Sequence, residues 1–147
     1  MKVPYARATA GDSARGEIKR LLARFGCNSV GFLDDFDEHT VALMFVYRKR
    51  RVQLKASAKG WAALYLRENP WHKGQRISPA DWEARAVMQG MVAVSSILRD
   101  WVKGQVTAIE TGLVPFDHVF LPFMVTGTGE TVASRFDRGG WLLEAPE

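Results

Sequence analysis

Cysteine occurs once in the 147 residues, as Cys27, and histidine only three times. A single thiol excludes an internal disulfide framework and fits a reducing compartment. Zinc asks for about four nitrogen or sulfur ligands at tight spacing. Cys27, His39, His72 and His118 are too few and too scattered to supply them, so no metal and no other cofactor is expected. Long apolar runs are absent as well. Nowhere do about 18 uncharged apolar residues run together, as a membrane-crossing helix requires, and Met1 to Arg7 carries no apolar core of signal-peptide length. The expectation is a cytoplasmic protein with no membrane partner. A strong charge of one sign is also missing: the net charge is +4, with 24% charged and 47% hydrophobic residues. That balance belongs to a chain able to bury a core, and the length suits one domain.

The chain divides into a flexible arm, residues 1–11, and a single α+β domain, residues 12–147. Asp12 and Ser13 are N-cap types. Ile18, Leu21, Leu22 and Phe25 recur at helical spacing before Gly26, which predicts a helix over 13–25. β-branched and aromatic residues predict strands at 30–33 and 41–47, joined by an acidic turn with Asp34, Asp35, Asp37 and Glu38. A third strand, 51–56, alternates Val52 and Leu54 with Gln53 and Lys55. A short helix over 60–68 carries Trp61, Leu64 and Tyr65, and Asn69-Pro70 stops it.

Ser78 as cap and Pro79 at the first helical position open a long helix that Gly104 could kink or divide. Its apolar track is expected through Val87, Met91, Val94, Leu98, Trp101 and Ala108, and Gly112 ends it. Ala86, Gly90 and Ala93 leave a neighbouring face where a second backbone, the sheet or another subunit, can approach. A homo-oligomer through helix 79–111 is therefore expected. Phe116 to Phe123 reads as a short aromatic helix followed by a loop, and the apolar tail at Trp141, Leu142 and Leu143 is expected to dock.

The strongest candidate for function is the basic corner Arg48, Lys49, Arg50 and Arg51 between strands two and three, with Lys55 and Lys59 following. Charged tips keep hairpins soluble. Six cations within 48–59 exceed that need and suit phosphates. In the loop after the short helix, Trp71 stands among Lys73 and Arg76. An aromatic ring amid cations is the composition of a single-strand platform, where bases stack and cations follow the backbone; the same ring could equally anchor its own loop. No nucleophile, base and orienting group can be assembled from the spacing, so no catalytic residues are assigned. Cys27 reads as a core residue, the acidic turn as a solvated turn, and Gly127-Thr128-Gly129 lacks the lysine of a phosphate loop.

The segments Gly60-Trp61-Ala62 to Pro70-Trp71 and Ser96 to Gly112, with Pro115-Phe116-Asp117, Phe120-Leu121-Pro122 and Gly129-Glu130-Thr131-Val132, resemble small proteins of tailed phages and prophages. The resemblance covers the last two thirds. It implies a mobile-element origin and a bacterial host cell, and brings no established activity and no site residues. The element order of residues 13–68 also resembles double-stranded-RNA-binding domains, although an acidic turn replaces their polar loop. Three strands followed by a long helix are similar to the core of single-strand annealing proteins, which form rings through such helices. The reading is a non-enzymatic, phage-type protein that binds nucleic acid, single-stranded or distorted DNA above all, through the basic hairpin. The alternative is a counter-defence or host-takeover factor that binds a host protein or a small signalling nucleotide, using the segment from Phe116 to Phe123 or a pocket between subunits.

Overall fold

The computed structural model describes residues 3–9, 11–140 and 146. Helix α1 (Gly11–Phe25) leads into strands β1 (Ser29–Asp35), β2 (Thr40–Tyr47) and β3 (Arg50–Ser57). Helices α2 (Ala58–Glu68) and α3 (Pro79–Glu110) follow, then α4 (Phe116–Phe120), a 3₁₀ turn at Leu121–Phe123, and α5 (Val132–Gly139). The α+β architecture read from the sequence is the one observed. The expected tail contact of Trp141, Leu142 and Leu143 lies outside the described residues.

The strands form one antiparallel sheet in the order β1-β2-β3. Register puts Phe32, Leu43 and Leu54 in one row and Val30, Phe45 and Val52 in the next, so these side chains share a face. That face meets α1 and α3. Ile18, Leu22, Phe45, Val52, Leu98, Val102, Val106 and Phe120 form the main core. The opposite face carries Arg51, Gln53 and Lys55 beside Leu33 and Met44, both exposed.

Helix ends follow local chemistry. Gly26, with φ of 114°, lets the chain turn out of α1, and its N–H and that of Cys27 both reach the Leu22 carbonyl. Ser57 accepts from Lys59 N at 3.2 Å, which starts α2 two residues earlier than its apolar stripe suggests. Ser78 accepts from Asp81 N at 3.1 Å, and Pro79 occupies the first turn of α3. α3 runs through Gly104 without interruption for 32 residues, roughly 48 Å at 1.5 Å per residue.

Helix α3 is the spine, and its neighbours set its buried face. α1 runs parallel to it, since Gly11 faces Val92, Arg15 faces Ser95 and Glu17 faces Arg99. α2 runs antiparallel, with Ala58 against Gly90 and Tyr65 near Trp82. The expected track is corrected accordingly. Val94 and Leu98 are buried, but Val87, Met91, Trp101 and Ala108 are only half-buried, while Ala86, Gly90, Ala93, Val102 and Val106 are buried. Three elements press on α3 from different sides, so its core face is wider than one stripe. The second backbone at the small-residue face is α2 of the same chain. A Cβ on Gly90 would stand 2.9 Å from the Ala58 carbonyl oxygen, so glycine is what allows that approach.

Two further segments went beyond the periodic signals. Residues 3–9, expected as a free arm, are docked: Val3 is buried, Trp61 Nε1 donates to the Pro4 carbonyl at 2.8 Å and Gln89 to that of Ala8 at 2.8 Å. The Tyr5 hydroxyl donates to Asp100 at 2.5 Å. Near the other terminus, Met124 and Val125 lie along the edge of β3, Val125 N donating to the Arg51 carbonyl at 2.8 Å, and Thr131 caps α5. No helix among the described residues is long and apolar enough to cross a membrane.

Candidate nucleic-acid interface

Tyr47 pairs with Arg50, leaving Arg48 and Lys49 as a two-residue hairpin turn. Both have positive φ, 45° and 68°. Such turns follow the twist of the flanking strands and favour Asn-Gly, because a left-handed residue with a side chain costs about 1–2 kcal/mol. Two long cationic residues hold these positions instead. The base beneath them is a packed aromatic cluster. Tyr47 stacks on Phe25, with centroids 4.7 Å apart, and lies 4.5 Å from Phe116. Phe116 continues to Phe120, fully buried, which meets Phe45 and Trp101 edge to face. The Arg48 guanidinium lies over the Tyr47 ring at 5.2 Å.

Alternation along β3 divides the remaining cations. Arg51 and Lys55 lie on the open sheet face with Gln53, whereas Arg50 turns to a cleft with Pro115, Phe116 and Asp117. Arg48, Lys49, Arg50, Arg51 and Lys55 are all exposed, and none has an ion-pair partner among the described residues.

The other sequence candidates lie elsewhere. β3 separates Lys59 from the turn by eight residues, on the order of 25 Å at 3.3 Å per residue. Lys59 sits beside the acidic turn instead, 3.7 Å from Glu38. Trp71, Lys73 and Arg76 flank the start of α3, at the far end of that helix from the hairpin. Trp71 is half-buried and donates its indole N–H to the Ile77 carbonyl at 2.8 Å, while Trp82 ties down the same loop by donating to Asn69 at 2.9 Å. Trp71 thus anchors its own loop, and Lys73 and Arg76 are exposed beside it. The chain does not bring the two basic loops onto one surface.

The groups that could support other chemistry are occupied or isolated. Cys27 is half-buried, and burial pushes its thiol up to about 11, so it stays protonated near neutrality. Asp34 is not a free turn carboxylate. It ends β1 in a two-pronged pair with Arg15, at 2.6 and 2.8 Å, and that guanidinium holds its carboxyl below the usual range. Asp35 folds its own turn by accepting from Asp37 N and Glu38 N. Among the described residues no three of His, Cys, Asp and Glu are grouped to hold a metal. Phe116 and Phe123 are half-buried against the core, so the aromatic segment is mainly packing. What the spacing could not announce is the docked neighbourhood of the turn, Phe25 and Phe116 coming from opposite ends of the fold.

No protein-family model, curated protein or solved structure matches the chain.

Proposed function

We propose that this is a non-enzymatic, phage-type nucleic-acid-binding protein that takes the phosphate backbone of single-stranded or distorted DNA on its hairpin end. Arg48, Lys49, Arg50 and Arg51 make the primary contacts, and Lys55 extends them along the open face of β3. One observation carries the reading: four consecutive cations, free of carboxylate partners among the described residues, stand on a strained turn that an aromatic cluster holds in place. A solubility device needs neither the strain nor the anchoring. Cations without a carboxylate partner among the described residues can exchange water and counterions for phosphate with little reorganisation. Trp71, Lys73, Arg76 and Lys59 are left out of this contact set. Assembly of several copies on one strand remains part of the reading, though not through Gly90 and Ala93, which α2 covers, nor through Ala86, which is buried within the chain.

The test is titration of a fluorescent single-stranded oligonucleotide over a salt series, beside a duplex of the same sequence. Five phosphate contacts give a slope of log K against log salt of about −3.5, hence about 100-fold weaker binding at 200 mM than at 50 mM. No binding at 50 mM would end the proposal, and a duplex preference would redirect it to double-stranded partners.

The alternative, a counter-defence factor that binds a host protein, gains support at a different place, an apolar groove at the other end of α3.

A further inference from the structure

The N-terminal half of α3 leaves an apolar strip uncovered. Ala84, Val87, Met88 and Met91 line a groove of about 730 Å³, closed on one side by the start of α1 and at the back by Phe36 of the β1–β2 turn. Phe36 and Met88 are 77% and 71% exposed, so two large apolar side chains of the same groove stand in water. The floor is polar but satisfied: Arg15 binds Asp34 with both prongs and also donates to Ser95 at 3.2 Å. The groove therefore offers mainly apolar contact area over a paired Arg15–Asp34 floor, with the His39 imidazole as a further polar group in its lining.

The rim carries the opposite sign from the protein as a whole. Asp12 and Glu83 border the groove, and Asp35, Asp37 and Glu38 flank Phe36, on a chain of net charge +4. The cations of this region are engaged or stand outside the lining. Arg15 is held by Asp34, Lys59 lies near Glu38, and Arg85, one turn before Met88, is not among the residues that line the groove. Ala80 to Met91 spans roughly 17 Å of helix, the length of three turns. An apolar trough of that length with acidic edges is complementary to a short amphipathic helix that has apolar anchors at i, i+3 or i+4, and i+7, flanked by lysine or arginine.

We propose that this groove docks a basic amphipathic helix of a partner protein. The apolar side chains of that helix would lie between Phe36 and Met88, and its cations would face Asp12, Glu83 and the acidic turn. A second copy of this chain fits less well, because a two-fold axis on α3 would set the two Glu83 rims near each other.

The full chain is titrated with a fluorescein-labelled 14-residue Leu/Lys amphipathic peptide and with a Leu/Glu peptide of the same length, following anisotropy. The expected result is saturable one-to-one binding of the Leu/Lys peptide and at least tenfold weaker binding of the Leu/Glu peptide. Met88→Asp should weaken the Leu/Lys complex at least tenfold. Because Met88 is exposed, that variant keeps its fold, which circular dichroism verifies. The double variant Asp12→Asn with Glu83→Gln should weaken the complex several-fold with the apolar strip intact. Equal binding of both peptides, or Leu/Lys binding unchanged by Met88→Asp, overturns the proposal. So does sedimentation of the unmodified chain as a dimer that Met88→Asp dissociates, which would make a second copy the occupant.

Discussion

The hairpin end and the groove end sit at opposite ends of α3 and differ in both filling and surface. At the hairpin end Phe25, Tyr47, Phe116 and Phe120 stack into a continuous aromatic support, and what emerges from it is cationic and has no ion-pair partner among the described residues. At the groove end α2 and α3 meet through Gly90 and Ala58, and Phe36 and Met88 remain open to water inside an acidic rim. Large side chains thus fix the position of one surface, whereas small ones draw helices together and leave apolar area uncovered at the other. The difference separates a site that must hold its geometry against phosphates from one that can adapt to an apolar partner.

The largest effect should come from removing the aromatic support. Phe120→Ala deletes a fully buried ring that touches Phe45, Trp101 and Phe116. It should cost about 3–5 kcal/mol, read by urea unfolding. Residual structure that kept the hairpin amides protected from hydrogen exchange would show that the turn does not depend on this cluster.

A smaller effect of opposite sign tests whether the turn is strained for a purpose. Replacing Arg48-Lys49 with Asn-Gly should raise stability by about 1–2 kcal/mol, because glycine removes the left-handed penalty at position 49 and asparagine, which tolerates that region, lessens it at position 48. The same change should weaken oligonucleotide binding and reduce the salt slope by about 1.4. A more stable protein with undiminished binding would reduce the strain to an accident of the hairpin.

The smallest effect concerns the ion pair in the groove floor. The Asp34 carboxyl is depressed by Arg15, so its folded value lies below the unfolded one, about 3.9. The stabilisation is complete above the unfolded value and disappears as pH falls through the folded one. The two side chains are 20% and 29% exposed, which limits the pair to about 1 kcal/mol. The stability gap between the unmodified chain and Asp34→Asn should therefore be flat above about pH 5 and close below about pH 4. A gap that widened in acid would reverse this assignment.

Much of the fold could be read along the chain because local signals and tertiary packing agree there. Ile18, Leu22 and Phe25 face the core as their spacing implies, the hairpin pairs around Arg48-Lys49, and Ser78-Pro79 starts α3. The buried face of α3 was less legible, since a stripe calculation assumes one packing partner and α3 has three. Residues 3–9 dock through Val3, Pro4 and Ala8, two of those contacts being made to backbone carbonyls, which leave no periodic pattern. α5 had a readable signal in Thr131 followed by Ser134 and Gly140, a cap at one end and a left-handed stop at the other.

The candidate site divided for a geometric reason. Lys59 follows Arg51 closely in sequence, but an extended strand carries it to the other end of the sheet. Trp71 is bound to Ile77 by a contact that composition cannot show. Neighbours in sequence share a surface only when the intervening backbone turns back, as it does at Arg48-Lys49 and nowhere between Arg50 and Ser57.

The most direct test compares the salt slope of single-stranded DNA binding for two variants of the full chain, one with Arg48, Lys49, Arg50 and Arg51 all changed to Ser, the other with Lys73 and Arg76 changed to Ser. The account predicts that the hairpin variant loses about 2.8 from its slope and most of its affinity at 50 mM salt, while the loop variant matches the unmodified protein. Equal losses in both, or a hairpin variant that binds as well as the unmodified chain, would contradict it.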